Sequence, residues 1–169
     1  MGIRVAVASG KGGTGKTLVA TNLAVHLRRS GRTVTLVDCD VDAPNVGLFL
    51  EAALTEETVT VPVPVEPPGD ACPPGCTACR DACRFGALRI LGDGPVVFAD
   101  LCHHCGVCVS ACPTNALVTS PAPVGRLLTG TTGDGLDVVV GDLAVGTTEA
   151  PAVVRAASGW SSTRSRPSA

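Results

Sequence analysis

Residues that could bind a phosphate stand near the start of the chain. The segment Gly10–Thr17 reads GKGGTGKT and fits the phosphate-binding pattern G-x-x-x-x-G-K-[ST]. Its glycines let the backbone approach a phosphate closely and turn successive N–H groups toward the phosphate oxygens. Lys16 would lie on the β- and γ-phosphates of a nucleotide, and the Thr17 hydroxyl would ligate Mg²⁺. The sequence therefore predicts a nucleotide-phosphate site made by Gly10, Lys11, Gly12, Gly13, Thr14, Gly15, Lys16 and Thr17.

A second group of candidate residues is a short run of carboxylates, Asp38, Asp40 and Asp42, after the predicted strand Thr33–Val37. The C-terminal ends of parallel strands face the ligand crevice of an open α/β sheet. Either Asp38 or Asp40 could therefore hold Mg²⁺ through water or orient the water that attacks the γ-phosphate. A solvated acidic turn is the alternative. Cys39, between the first two carboxylates, is expected to be a small buried residue.

Eight of the nine cysteines form two similar runs. The second run is Cys102-x2-Cys105-x2-Cys108-x3-Cys112-Pro113, the spacing of bacterial [4Fe–4S] sites. The first run is Cys72-x3-Cys76-x2-Cys79-x3-Cys83, which has one extra residue in its first gap and no proline after its last cysteine. The alternative is zinc, but zinc sites typically pair C-x2-C knuckles across a longer spacer. His103 and His104 are expected to be loop residues over a cluster rather than ligands.

Composition limits the classes of function. The chain has 169 residues and a net charge of −2 without a basic stripe, so nucleic-acid binding is not indicated. No run of about 18 apolar residues is present, which argues against a transmembrane helix. The polar loop at Ser9 interrupts the first apolar run, so no secretory signal is predicted. Cysteine clusters without such a signal indicate metal binding in a reducing cytoplasm.

The elements that position the phosphate loop are predicted from the flanking pattern. Ile3–Ala8 is short, apolar and β-branched, as expected of a strand buried on both faces. A helix is predicted over Lys16–Ser30, ended by Gly31, and a parallel strand over Thr33–Val37 follows it. The apolar residues of this helix recur at helical spacing: Val19, Leu23 and Leu27, with Ala20 and Ala24.

Secondary-structure signals in the rest of the chain are weaker. A short helix is predicted over Leu48–Leu54, and the proline-containing segment Thr58–Val65 is expected to be an edge strand or an extended link. Leu88–Leu91 is predicted to pair with Val96–Ala99 across a glycine turn. Val138–Val140 is predicted to be a strand.

Lys11 extends the phosphate loop beyond the simple pattern, and Lys11 and Lys16 are the only lysines among 13 basic residues. The sequence KGGTGKT resembles the deviant Walker A loop of the MinD/ParA/Mrp and nitrogenase iron-protein ATPases. With the cysteine runs placed after the acidic segment, the chain resembles MinD-like P-loop ATPases that carry an inserted two-cluster ferredoxin. The resemblance implies that Lys11 contacts nucleotide across a homodimer interface, that Asp38 lies near Mg²⁺ and that Asp40 positions the attacking water.

The same resemblance implies a fold and a division into segments. An incomplete parallel P-loop NTPase sheet would carry an inserted α+β domain similar to bacterial ferredoxins. The expected segments are 1–66 and 120–157 for the nucleotide domain, 67–119 for the insert and 158–169 for a disordered tail. In two-cluster ferredoxins the fourth cysteine of each run binds the other cluster. Carried over, the first cluster takes Cys72, Cys76, Cys79 and Cys112, and the second takes Cys83, Cys102, Cys105 and Cys108.

The chain departs from the family pattern in one respect. The D-x-P-P-G segment of switch II is absent, and Val138–Asp142 is followed by Leu143-Ala144-Val145 instead. We therefore expect a truncated or frameshifted member, and whether it turns over ATP stays open. The first hypothesis is an ATP-binding iron–sulfur homodimer that couples ATP binding and hydrolysis to electron transfer or cluster handling, with an unidentified redox partner or client. The alternatives are a ferredoxin-type electron carrier with an incomplete P-loop, and a metal-storage or scaffold protein.

Overall fold

A computed structural model describes residues 2–67, 71–92 and 94–160 of the chain. The regular elements in these residues, in chain order, are α1 (Lys16–Arg29), β1 (Thr35–Asp38), β2 (Ala52–Val65), α2 (Ala78–Ala82), β3 (Leu88–Leu91), β4 (Gly94–Val97), α3 (Val107–Ser110), β5 (Val118–Thr132), β6 (Asp137–Leu143) and α4 (Ala150–Ser158). Two short 3-10 turns, Val46–Leu48 and Ala99–Leu101, lie between them.

The chain divides into two compact units. The first unit contains residues 1–59 and 124–169, and the second contains residues 60–123. The predicted insert, 67–119, lies inside the second unit, and the phosphate loop and the acidic run lie in the first.

The first unit is built on a mixed sheet with the strand order β1-β6-β5-β2 in the described residues. Strands β1 and β6 are parallel, with Thr35 opposite Asp137, whereas β5 and β6 are antiparallel, with Gly125 opposite Leu143. The prediction of an α/β fold that contains parallel strands is therefore confirmed. The core beside this sheet is aliphatic and contains Ala24, Leu36, Val46, Leu136, Val138 and Val140.

The prediction that Ile3–Ala8 is a buried strand is wrong. This segment has no regular structure, and the side chains of Ile3 and Val5 are 89% and 67% exposed. A strand that is buried on both faces needs neighbours along its edges and layers above and below. In the described part of the chain, β1 pairs with β6 instead, so the predicted strand–helix–strand unit does not form.

Helix α1 begins and ends as predicted, but it presents a different face to the core. Gly31 has φ 82°, and its N–H donates to the carbonyl of Arg28, which closes the helix. Thr21 and Ala24 are buried, whereas Val19 and Leu23 of the predicted apolar stripe are exposed.

Strand β2 confirms the predicted edge strand, since it contains the prolines and ends the strand order. It begins at Ala52 rather than at Thr58. The helix predicted over Leu48–Leu54 is therefore wrong, and only the 3-10 turn Val46–Leu48 precedes the strand. The strand predicted over Val138–Val140 is confirmed as the centre of β6, where these valines are buried.

Helix α4 was not predicted. It begins with Pro151 in its first turn, and its residues Val153 and Ala157 are fully buried. These two side chains pack against Gly141 of β6, where a Cβ would meet Val153 at 3.2 Å. The predicted disordered tail, 158–169, begins too early because Ser158 is helical, and its residues 161–169 lie outside the described part of the chain.

The second unit contains the predicted hairpin. Strands β3 and β4 are antiparallel, with Leu88 opposite Val97 and Leu91 opposite Gly94. The short helices α2 and α3 each begin within a cysteine run, and they pack on a core formed by Cys79, Leu88, Cys108 and Leu117. The helices in the described residues are all too short or too polar to span a bilayer.

Candidate functional site

The phosphate loop has the backbone shape that its glycines allow. Gly13 and Gly15 have φ values of 74° and 90°, a conformation that side chains disfavour, and helix α1 begins directly after Gly15. The loop is closed internally, because the Thr14 hydroxyl donates to the Ser9 hydroxyl at 2.7 Å and the Ser9 hydroxyl donates to the Lys11 carbonyl at 2.9 Å. Such a loop at the start of a 14-residue helix offers backbone N–H groups and the positive end of the helix dipole to an anion.

The two lysines occupy different environments. Lys16 is half-buried in the first turn of α1 beside Thr17, whereas Lys11 is exposed. Nothing lies within 4 Å of a Cβ placed at Gly12 or Gly13, so there is open space beside the loop at these two positions.

Asp38, the last residue of β1, is buried and organises the segment that follows it. Its side chain is 8% exposed, and its carboxylate accepts three backbone N–H bonds: from Asp40 at 3.0 Å and from Asn45 and Val46 at 3.1 Å each. These bonds fold residues 40–46 back over the end of the strand, and Val46 then packs into the core beside Ala24 of α1. Hydrogen bonds to a carboxylate are the strong type, so Asp38 fixes this loop.

The neighbouring side chains point into solvent. Asp40 and Asp42 are exposed, and the Asp40 carbonyl accepts the Ala43 N–H at 3.1 Å, which closes a tight turn. Cys39 is also exposed, so the expectation that it is buried is wrong. Partial burial of its thiol, together with the negative charge of Asp38, nevertheless raises the Cys39 pKa.

Four cysteines line one pocket in the second unit. Cys83 from the first run lies there with Cys102, Cys105 and Cys108 from the second run. The rest of the lining is mostly apolar and includes Pro62 and Val107. This set combines the last cysteine of one run with the first three of the other.

The structure defines the surroundings of the other four cysteines less completely. Burial is the main cause that raises the pKa of the Cys79 thiol, and the charges of Cys72 and Cys76 add to it. A hydrogen bond from the Leu117 backbone lowers the pKa of Cys112. The link between Cys112 and the first run is Thr114, whose hydroxyl lies 3.7 Å from the Cys112 sulfur and donates to the carbonyl of Ala71 at 3.3 Å.

The donor set of this pocket fits an iron–sulfur cluster. A [4Fe–4S] cluster is bound by four cysteine thiolates, one to each iron, and four cysteines line the pocket. A structural zinc site also takes four ligands, around one ion. In the residues that the structure describes, no group of three or more His, Cys, Asp or Glu side chains is placed to bind a single metal ion.

Two family models match the parts of the chain that carry the phosphate loop and the second cysteine run. A model of the CobQ/CobB/MinD/ParA nucleotide-binding domain matches residues 5–92. The chain belongs to this family. A model of the 4Fe-4S binding domain matches residues 95–118. The resemblance to MinD/ParA-type proteins with an added 4Fe-4S domain is thus confirmed.

Several curated relatives match parts of the chain. An uncharacterized protein of Methanocaldococcus jannaschii is 34% identical over 106 residues, which are 62% of this chain and 37% of the relative. An uncharacterized ATP-binding protein of the same organism is 48% identical over 50 residues, 30% of this chain and 19% of the relative. An iron-sulfur cluster carrier protein of Aquifex aeolicus is 51% identical over 57 residues, 34% of this chain and 15% of the relative. The chain therefore spans well under two thirds of the length of these family relatives.

Two features of this family member were missed by sequence reasoning. The carboxylate of Asp38 holds backbone N–H groups, a role that only the fold of residues 40–46 could reveal. The rings of Phe85 and His103 are stacked, with their centroids 3.8 Å apart and an interplanar angle of 20°. The sequence shows that Phe85 and His103 each lie within two positions of a cysteine, but it does not show that the two rings contact each other.

The backbone beside the second cysteine run also contacts a thiol. His104, with φ 54°, donates its backbone N–H to the Cys102 sulfur at 3.4 Å.

Proposed function

We propose that the chain is an ATP-binding iron–sulfur protein in which nucleotide binding and hydrolysis drive the handling of [4Fe–4S] clusters. The observation that carries this proposal is the combination, on one chain, of an open phosphate loop and a pocket lined by Cys83, Cys102, Cys105 and Cys108. The similarity to the Aquifex aeolicus iron-sulfur cluster carrier protein supports cluster handling over electron transfer alone. A reducing cytoplasm suits a protein with this many thiolate ligands.

The nucleotide half would work by positioning and charge neutralisation, which is most of what phosphoryl transfer requires. Backbone N–H groups of the loop would bind the phosphates, Lys16 would neutralise the β- and γ-phosphates, and the Thr17 hydroxyl would ligate Mg²⁺. Asp40 is exposed at the turn and would orient the attacking water. Asp38 would act near the magnesium mainly by holding this turn in place, since its carboxylate already accepts three N–H bonds.

The cysteine half would hold two clusters. The second cluster would be bound by Cys83, Cys102, Cys105 and Cys108, and the first by Cys72, Cys76, Cys79 and Cys112. A bound [4Fe–4S] cluster supplies one-electron chemistry. The chain's own contribution is to present thiolates and backbone N–H groups, such as that of His104. Burial raises the pKa of Cys79 and of Cys108, so iron must displace a proton from each of these thiols before it is bound.

The proposed assembly is a homodimer that meets at its phosphate loops. Lys11 is exposed at the rim of the loop, where it would neutralise charge on the nucleotide of the partner copy. Lysine suits this task because it is a compact charge on a flexible stem.

The test is ATP turnover and ATP binding by the full chain after anaerobic loading with iron and sulfide. Asp40→Ala should abolish turnover and keep ATP binding, whereas the matched variant Asp42→Ala should leave both unchanged. Lys16→Ala should abolish binding, and Lys11→Ala should keep binding but lose turnover. Binding of ATP by Lys16→Ala at the affinity of the unaltered chain would refute the loop assignment.

The second candidate is a ferredoxin-type electron carrier that binds nucleotide without hydrolysing it. It is favoured by the exposed segment Ile3–Ala8, which does not support the loop from within the sheet. This candidate predicts reversible reduction with full retention of iron and no turnover above background. Turnover that disappears in Asp40→Ala would exclude it.

A further inference from the structure

The stacked rings of Phe85 and His103 belong to the wall of the second cysteine pocket. Both residues line it together with Cys83 and Cys102, and each lies within two positions of one of these cysteines. Phe85 is nevertheless 46% exposed, so the pair lies between the pocket and solvent. The ring centroids are 3.8 Å apart, so this contact must break before the two rings can separate.

In the part of the chain that the structure describes, the corresponding positions of the first cysteine run carry no aromatic ring. When the two runs are aligned on their cysteines, the position of His103 corresponds to Pro73, and that of Phe85 corresponds to Thr114. Both of these residues are exposed, and neither is aromatic. The two halves of the repeat therefore differ at the positions that border the cluster sites, although their cysteine spacing is nearly the same.

We infer that the Phe85–His103 stack is a lid over the second cluster site and makes the two clusters unequal. The lid slows the access of water and iron chelators to the cluster held by Cys83, Cys102, Cys105 and Cys108. The cluster of the first run is then the one that is given up first. This inference rests on the proposed function, because it requires that both cysteine sets hold clusters.

The experiment measures iron release from the full chain, loaded anaerobically, to the ferrous chelator bathophenanthroline disulfonate. The expected progress curve for the unaltered chain has two phases of similar amplitude. In Phe85→Ala and His103→Ala the slow phase should accelerate by about three- to tenfold, the factor that corresponds to loss of one aromatic stack. The fast phase should not change. Cys105→Ser should remove the slow phase alone, which assigns this phase to the second cluster.

Two controls separate a lid from a general effect of substitution. Phe98→Ala removes a phenylalanine of similar exposure, 42%, that does not line the pocket, and should leave both phases unchanged. His103→Phe keeps a stacked ring without an imidazole and should keep the slow phase slow. Equal rates for Phe85→Ala and Phe98→Ala, or a His103→Phe variant as fast as His103→Ala, would overturn the lid. A chain that retains no iron would instead overturn the proposed function, and the lid with it.

Discussion

The carboxylate of Asp38 provides the sharpest test of how the acidic loop is built. Its Oδ1 atom accepts the Asp40 N–H, and its Oδ2 atom accepts the N–H groups of Asn45 and Val46. Asp38→Asn preserves the shape of the side chain but replaces one acceptor oxygen with an NH₂ group. At least one of the three backbone donors then loses its acceptor, whichever way the amide is turned.

The size of the effect follows from this count. A hydrogen bond to a charged group contributes about 1.5–3 kcal/mol, so Asp38→Asn should lower the free energy of unfolding by about that amount. Asp38→Ala leaves three donors without the carboxylate and should lower it by about 4.5–9 kcal/mol, which is comparable with the 5–15 kcal/mol typical of a whole domain. The assay is urea unfolding followed by the fluorescence of Trp160, the chain's only tryptophan, which lies at the end of the first unit's last helix.

The matched control is Asp42→Asn, an exposed carboxylate in the same loop, which should change the free energy of unfolding by less than about 0.5 kcal/mol. Asp38→Asn should also lower ATP turnover, since Asp40 would no longer be held in its turn. If Asp38→Asn unfolds at the same urea concentration as the unaltered chain, the Asp38 carboxylate does not hold residues 40–46.

Three further predictions concern the cysteines and the core. With both clusters bound, only Cys39 should react with iodoacetamide, and all nine cysteines should react after the iron is removed; a second reactive thiol in the loaded chain would contradict the ligand sets. Cys112→Ser should hold about four irons instead of about eight, because only the first cluster is lost, and an iron assay checks this. Gly141→Ala should lower the free energy of unfolding by about 1–3 kcal/mol, because the new Cβ would lie 2.8 Å from a methyl group of Val41. Urea unfolding measures this change. The control Gly133→Ala, with open space around the new Cβ, should change the urea midpoint little.

Sequence patterns predicted the elements whose signals are local. Helix α1 ends where Gly31 can adopt a positive φ, and the hairpin of β3 and β4 forms across a glycine turn. The cysteine runs and the phosphate loop were visible for the same reason, because their chemistry depends on close spacing within a few residues. The fold class and the family followed from these motifs.

Features that depend on distant contacts were not predictable in this way. The apolar pattern of Ile3–Ala8 predicted a strand, but a strand is stabilised by its neighbours, and β1 takes β6 as its parallel partner instead. Helix α4 has only nine residues and a proline in its first turn, and its burial against Gly141 is visible only after the sheet has formed. The role of Asp38 and the stack of Phe85 on His103 likewise depend on how loops fold back.

In the proposed function, nucleotide at the phosphate loop changes the behaviour of clusters held by the same chain. This coupling is tested by the rate of cluster transfer from the anaerobically loaded full chain to an apo-ferredoxin, with and without Mg²⁺ and ATP. ATP should change this rate in the unaltered chain and leave it unchanged in Lys16→Ala. Identical rates with and without ATP in the unaltered chain, at a concentration that saturates the nucleotide site, would contradict the coupling.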